Sequence, residues 1–192
     1  MKVFKYVFLT LLLSVTLLAD SINLGNSAFF NDEGVINIAA DAAVAVRNLD
    51  SSYLMLYLYM SVDEGESATV RREDIVLVHN DKEYEMPKLT EFRKNYPWDS
   101  RDSELYMKLG KEALALSNMR FYRFNAFDDF FPEKASGKIP LEQGFMSGHI
   151  GFRSSVYFKN PGLEPGDMVV IKVKDQKNPS ISGSVAVELA VL

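Results

Sequence analysis

The residues best suited to chemistry sit in the middle of the chain. Asp128, Asp129 and Glu133 lie close together in sequence, among Phe127, Phe130 and Phe131. Grouped carboxylates can offer oxygen ligands to a hard cation such as calcium, but this spacing is not that of an EF-hand loop. The expectation is therefore an acidic, aromatic loop that binds no metal. Upstream, Tyr96, Trp98, Asp99, Arg101 and Asp102 combine flat rings with polar groups, as sugar-binding surfaces do. The simpler reading gives Trp98 a structural task, anchoring a neighbouring helix to the rest of the fold, and that is the expectation here.

Arg120 and Arg123 alternate with Phe121, Tyr122 and Phe124. Base stacking would use such rings and cations, yet on a strand the same alternation gives one face of buried rings and one of solvated charge. His79 and His149 are the two histidines. Neither has metal-ligand spacing, and Ser147-Gly148-His149 is not a serine-nucleophile turn. Two carboxylates could hydrolyse a glycoside, which depends on their separation in space. Cysteine is absent, so disulfides, thiolate metal sites, cysteine nucleophiles and a lipid-attachment cysteine are all removed. No cofactor is expected.

Lys2 and Lys5 precede an apolar run from Val7 to Leu18, and Ala19 gives way to Asp20 and Ser21. This is the order of a secretory signal peptide over residues 1–19, cut after Ala19. Leu17 stands where cleavage sites prefer a small residue, so an uncleaved anchor is the alternative. No other run is long and apolar enough to span a bilayer. Residues 20–192 are then expected to form one secreted or periplasmic domain with no membrane span. Acidic residues outnumber basic ones, 26 to 21, and the two signs are interleaved, so nucleic acid is not an expected partner.

The elements that must position these groups are mostly strands. Ser52 to Val62 is uncharged and reads as a central strand, with Leu54, Leu56, Leu58 and Met60 on one face and Tyr53, Met55, Tyr57 and Tyr59 on the other. Before it, Val35 to Arg47 alternates as a strand, its alanines making a helix the alternative. Ile75 to Val78, the turn His79 to Lys82 and Tyr84 to Met86 read as a hairpin. Over residues 88–118 the period changes to that of a helix, starting at Asp99 or Ser100, with Leu105, Leu109, Ala113 and Leu116 on one stripe. That stripe is expected against Tyr57 or Tyr59. Ser147 to Phe158, Met168 to Lys174 and Val185 to Val191 complete about eight strands. Residues 20–34 read as polar chain ending in a turn.

Together these predict a mainly β, two-layer antiparallel sandwich. Asp74-Ile75-Val76-Leu77-Val78 in its hairpin, and Leu163-Glu164-Pro165-Gly166-Asp167 leading into Val169-Val170-Ile171, resemble the immunoglobulin-like (telokin-like) sandwich domains of exported bacterial proteins. The likeness covers residues 35–87 and 147–191. Leu109-Gly110-Lys111-Glu112, Met119-Arg120-Phe121-Tyr122 and Asp129-Phe130-Phe131-Pro132 resemble segments of uncharacterised exported bacterial proteins. Neither resemblance brings catalytic residues, and the helix departs from a typical immunoglobulin-like domain. The expected function is non-enzymatic binding of a protein or cell-envelope component through the helical insertion and the aromatic, acidic loop. Tyr96, Trp98, Phe127, Asp128, Asp129, Phe130 and Phe131 are the expected contact residues. The alternatives are a carbohydrate-binding or calcium-dependent module and, behind these, a carboxylate-based hydrolase.

Overall fold

Tyr53–Val62 forms a ten-residue strand, β4, flanked on both sides in the larger of two antiparallel sheets. The computed structural model describes residues 21–190; the expected leader at residues 1–19 lies outside them. In chain order the other strands are β1 Ile22–Gly25, β2 Ala28–Asn31, β3 Ile36–Asp41, β5 Ser67–Arg71, β6 Ile75–His79, β7 Lys82–Glu85, β8 Arg123–Phe124, β9 Gln143–Ser147, β10 Ile150–Lys159, β11 Met168–Lys174 and β12 Ser182–Glu188. The larger sheet runs β1-β2-β3-β4-β10-β9-β5, with the two residues of β8 pairing parallel to β10. The smaller runs β12-β11-β6-β7. The result is a mainly β, sandwich-like fold.

Alternation along β4 explains the layering. Leu54, Leu56, Leu58 and Met60 share a dry core with Ile75 and Leu77 of β6, Val169, Ile171 and Val173 of β11, and Val185 and Val187 of β12. Burying that aliphatic surface is the main stabilising term between the sheets. At one side the sheets approach backbone to backbone. A Cβ on Gly183 would sit 1.9 Å from the Ile36 carbonyl oxygen, so only glycine fits there. The β6–β7 hairpin turns through Asn80 and Asp81, both at positive φ (49° and 60°), the backbone a type I′ turn requires.

Three local expectations are corrected. The strand read from Val35 ends at Asp41, and Ala43–Arg47 forms helix α1: the Asp41 carboxylate, one residue before the N-cap Ala42, accepts the Ala43 N–H at 2.9 Å and turns the chain into a run of alanines and valines. Residues 22–31 are two paired strands rather than polar chain, and they bury Phe29 and Phe30. The helix expected from Asp99 or Ser100 through residue 118 is broken into α3 Asp99–Leu109 and α4 Glu112–Ala115, with α2 Leu89–Asn95 ahead of it. Gly110 is extended (φ −58°, ψ 141°), and Lys111 N–H donates to the Asp41 carboxylate at 2.9 Å. A Cβ at Gly110 would meet the Tyr106 ring at 2.5 Å, so the break is built around that glycine.

Candidate functional site

The tyrosine face of β4 looks away from the smaller sheet and carries the polar chemistry of the molecule. Helix α2 covers one end of it, where Phe92 and Tyr96 pack on Tyr53 and Tyr157. Helix α3 covers the other through Tyr106, whose ring stacks on Tyr57 (centroids 4.5 Å apart, 6° between planes) and whose hydroxyl lies 2.8 Å from that of Tyr59. Burial raises the pKa of all three tyrosines, so they are neutral hydrogen-bonding groups at ordinary pH. The expected stripe is thus partly replaced. Leu105 packs on the main core and Leu116 on a second cluster around Phe30, Ala39 and Tyr59, but Ala113 is exposed and Tyr106 makes the contact with Tyr57 and Tyr59.

The third cover is the acidic, aromatic loop. β9 pairs with β10 only at the hairpin, Ser147 opposite Ile150, and the loop runs beside β10 farther along. Phe130 N–H donates to Ser154 Oγ at 2.8 Å, while Ser155 Oγ and Phe131 N–H donate to Asp129 Oδ1 at 2.7 and 3.0 Å. The flanking rings then go to opposite sides: Phe130 packs on Phe152, and Phe131 on Tyr157 and Phe92. Side-chain and main-chain bonds to Ser154 and Ser155 thereby clamp the loop onto the strand.

Between α3, α4 and this loop lies an open cleft of about 250 Å³. Its floor is Tyr57, Arg153 and Asp129; Met107, Glu112 and Lys138 are among its walls. The Arg153 guanidinium lies over the Tyr57 ring, 5.9 Å from its centroid, and pairs with Glu112. Tyr57 is therefore held between Tyr106 and Arg153. Burial pushes the Asp129 carboxyl above its ordinary value, against the opposing pull of the Ser155 hydrogen bond. Its bonds converge on Oδ1, and among the described residues Oδ2 takes none. Arg153 Nε is also buried without a partner. Such an arrangement can orient a polar ligand. Ser155 itself is buried, and neither His79 nor His149 lines the cleft.

A second depression, of about 260 Å³, opens where α2 meets α3 and is lined by Asn48, Asp50, Ser51, Tyr96, Trp98, Arg101 and Asp102. Asp102 is buried and accepts the Tyr96 hydroxyl at 2.8 Å and the Asn48 amide at 3.1 Å. Burial raises its pKa, with those donors pulling the other way.

The residues expected to make contacts divide sharply. Tyr96, Phe130 and Phe131 are 3%, 0% and 3% exposed, so they are core groups and not surface platforms. Trp98, expected as the anchor, is 56% exposed, and Tyr96 does the anchoring. Phe127 is exposed, and Asp128 is half-buried and held by Asn125. Of the carboxylates, Asp129 and Glu133 line the cleft and Asp128 does not. Sequence reasoning missed Arg153, Tyr106 and Glu112, which meet only through tertiary packing. The Arg153-Ser154-Ser155 run on an otherwise apolar strand was the available signal. Comparisons with family models, curated proteins and solved structures find no match for this chain.

Proposed function

We propose that the chain is an exported, non-enzymatic binding module of immunoglobulin-like build that engages a protein or other cell-envelope component through the cleft over β4 and the loop beside it. The immunoglobulin-like reading is supported by strand order: β3-β4-β10-β9 lies opposite β12-β11-β6-β7, and the chain changes sheets after β5, after β7 and after β10. The helices α2 to α4 then form an insertion between β7 and β8. Export rests on the charged and apolar order of residues 1–19.

One observation carries the binding role. The cleft floor is preorganised, with Tyr57 held between Tyr106 and Arg153, and its rim keeps Met107 and the neighbouring Phe127 in water, 77% and 73% exposed. Preorganised polar groups beneath an exposed apolar rim suit recognition, because the ordering cost of the floor has been met before the partner arrives. The test uses the protein starting at Asp20, immobilised and exposed to an envelope fraction of the cell that makes it. Part of that fraction is treated with protease beforehand. The wild type should retain a component that the Met107→Lys, Phe127→Ser double variant loses. Retention equal in both proteins, or none above a bare support, would overturn the reading.

A further inference from the structure

We propose that the depression beside Trp98 is a second, separate binding site, for one neutral pyranose unit of an oligosaccharide. It shares no lining residue with the cleft over β4. Three features point the same way.

The first is the indole. Trp98 is the sole tryptophan of the chain and belongs to neither hydrophobic cluster. Its ring stays more than half in water, at the edge of a pocket. A flat ring in that position can take the C–H face of a sugar.

The second is a set of acceptors fixed from below. The Asp102 carboxylate can only accept when ionised, so the Asn48 group facing it is the amide nitrogen, and the amide oxygen is turned away from it. Tyr96 donates its one proton to Asp102. The 3.1 Å contact between Ser51 Oγ and the Tyr96 hydroxyl must then be donated by Ser51, whose remaining lone pairs can accept. A buried carboxylate thereby orients two acceptors, and the chain of donors leading to it strengthens each link.

The third is charge of both signs. Arg101 and Asp50 are exposed and line the depression, and among the described residues neither has an ion-pair partner. The site thus offers one guanidinium and one exposed carboxylate above the buried Asp102. Sugar hydroxyls both donate and accept, and can satisfy acceptors and guanidinium at once. An apolar side chain would use the indole and leave the polar groups unpaired, which costs affinity. A phosphorylated ligand would meet Asp50.

The sole tryptophan makes the site its own reporter. The protein starting at Asp20 is titrated with maltotetraose, cellotetraose and chitotetraose, with the acidic tetragalacturonate for comparison. Emission wavelength and acrylamide quenching are read. At least one neutral tetrasaccharide should give a saturable blue shift and shield the indole from quencher. Arg101→Ala should weaken that response by about tenfold, the loss of one hydrogen bond to a charged group. The Met107→Lys, Phe127→Ser variant should respond as wild type does, so failure here and failure of the cleft reading are told apart. Trp98→Ala, with its fold checked by circular dichroism, should give no heat of binding in calorimetry. Unchanged emission and quenching with all three neutral sugars overturns the proposal. So does a response to tetragalacturonate alone, or one that Arg101→Ala leaves intact.

Discussion

The two faces of β4 are both buried, by opposite means. On the inner face Leu54, Leu56, Leu58 and Met60 are at most 1% exposed and bring no polar atom into the core except the paired backbone. On the outer face Tyr53, Met55 and Tyr59 are nearly as well covered, but their cover is made of other aromatic rings, hydroxyls, an arginine and carboxylates. The inner face gains its energy from area alone and is indifferent to direction. The outer face also buries hydroxyls and pairs them by direction, Tyr59 to Tyr106, Tyr96 to Asp102, Ser155 to Asp129, while Ser61 Oγ on the same face is buried with no partner among the described residues. A surface assembled from directional contacts leaves gaps where they do not tile, and both depressions of interest border this cover. Function is accordingly to be sought on the tyrosine side.

The widest separation between the faces should come from cavity formation. Leu56→Ala removes buried aliphatic volume from between the sheets, where the surroundings relax only in part, and should destabilise by about 2 to 5 kcal/mol in urea unfolding. A cost below about 1 kcal/mol would mean that the inner face is less tightly packed than its burial indicates. The outer face should respond in a different manner. Tyr106→Phe keeps the ring stacked on Tyr57 but leaves the Tyr59 hydroxyl buried without a partner, at a cost of about 1 to 3 kcal/mol. Removing both hydroxyls, Tyr59→Phe with Tyr106→Phe, should cost no more than the single change, because no orphan remains. Additive losses would show that the hydroxyl pair is not what holds α3 to the strand.

What could be read from the sequence follows the same division. β4 and the β6–β7 hairpin were legible because their signals are local: an uncharged run in one case, an Ile-Val-Leu-Val run before an Asn-Asp turn in the other. The inner face follows from β4 by alternation. The outer face does not, since the partners of Tyr57 and Tyr59 come from α3 and β10, far away in sequence. Phe130 and Phe131 looked like a surface patch because they are adjacent to acids, and adjacency cannot tell that they straddle a strand edge. Trp98 and Tyr96 exchanged roles for a related reason. A two-residue shift at the start of α3 decides which ring faces Tyr157, and no local preference selects between them. The α1 helix was visible in part, in Asp41 ahead of an alanine run, but strand alternation continued through the same residues and obscured the turn.

The smallest effect sharpens the comparison most, because it isolates one charge of the outer face. Burial raises the pKa of Asp129 above its ordinary value of 3.8, so the folded state holds a proton that the unfolded chain has already released. Stability from such a group is full below the unfolded value and is lost as pH rises through the folded one. Lowering the pH from neutrality toward 3.8 should therefore raise the contribution of Asp129. Asp41 and Asp102, also raised by burial, act in the same direction. Asp175 acts in the other: burial pushes it up, but the backbone N–H groups of Thr69, Asn178 and Lys177 outweigh that and hold it below its ordinary value. Its stabilising contribution is kept through this window and lost only in stronger acid. Asp129→Asn separates the terms. The amide oxygen can still accept from Ser155 and Phe131, the nitrogen replaces an oxygen without a hydrogen-bond partner, and every other titrating group is unchanged. Urea midpoints measured across the window should fall less with rising pH in the variant than in the wild type, and at neutral pH the variant should be at least as stable. Parallel curves would mean that the Asp129 charge is solvated in the folded protein, and that the polar floor of the cleft is held by the two serines and the backbone without it.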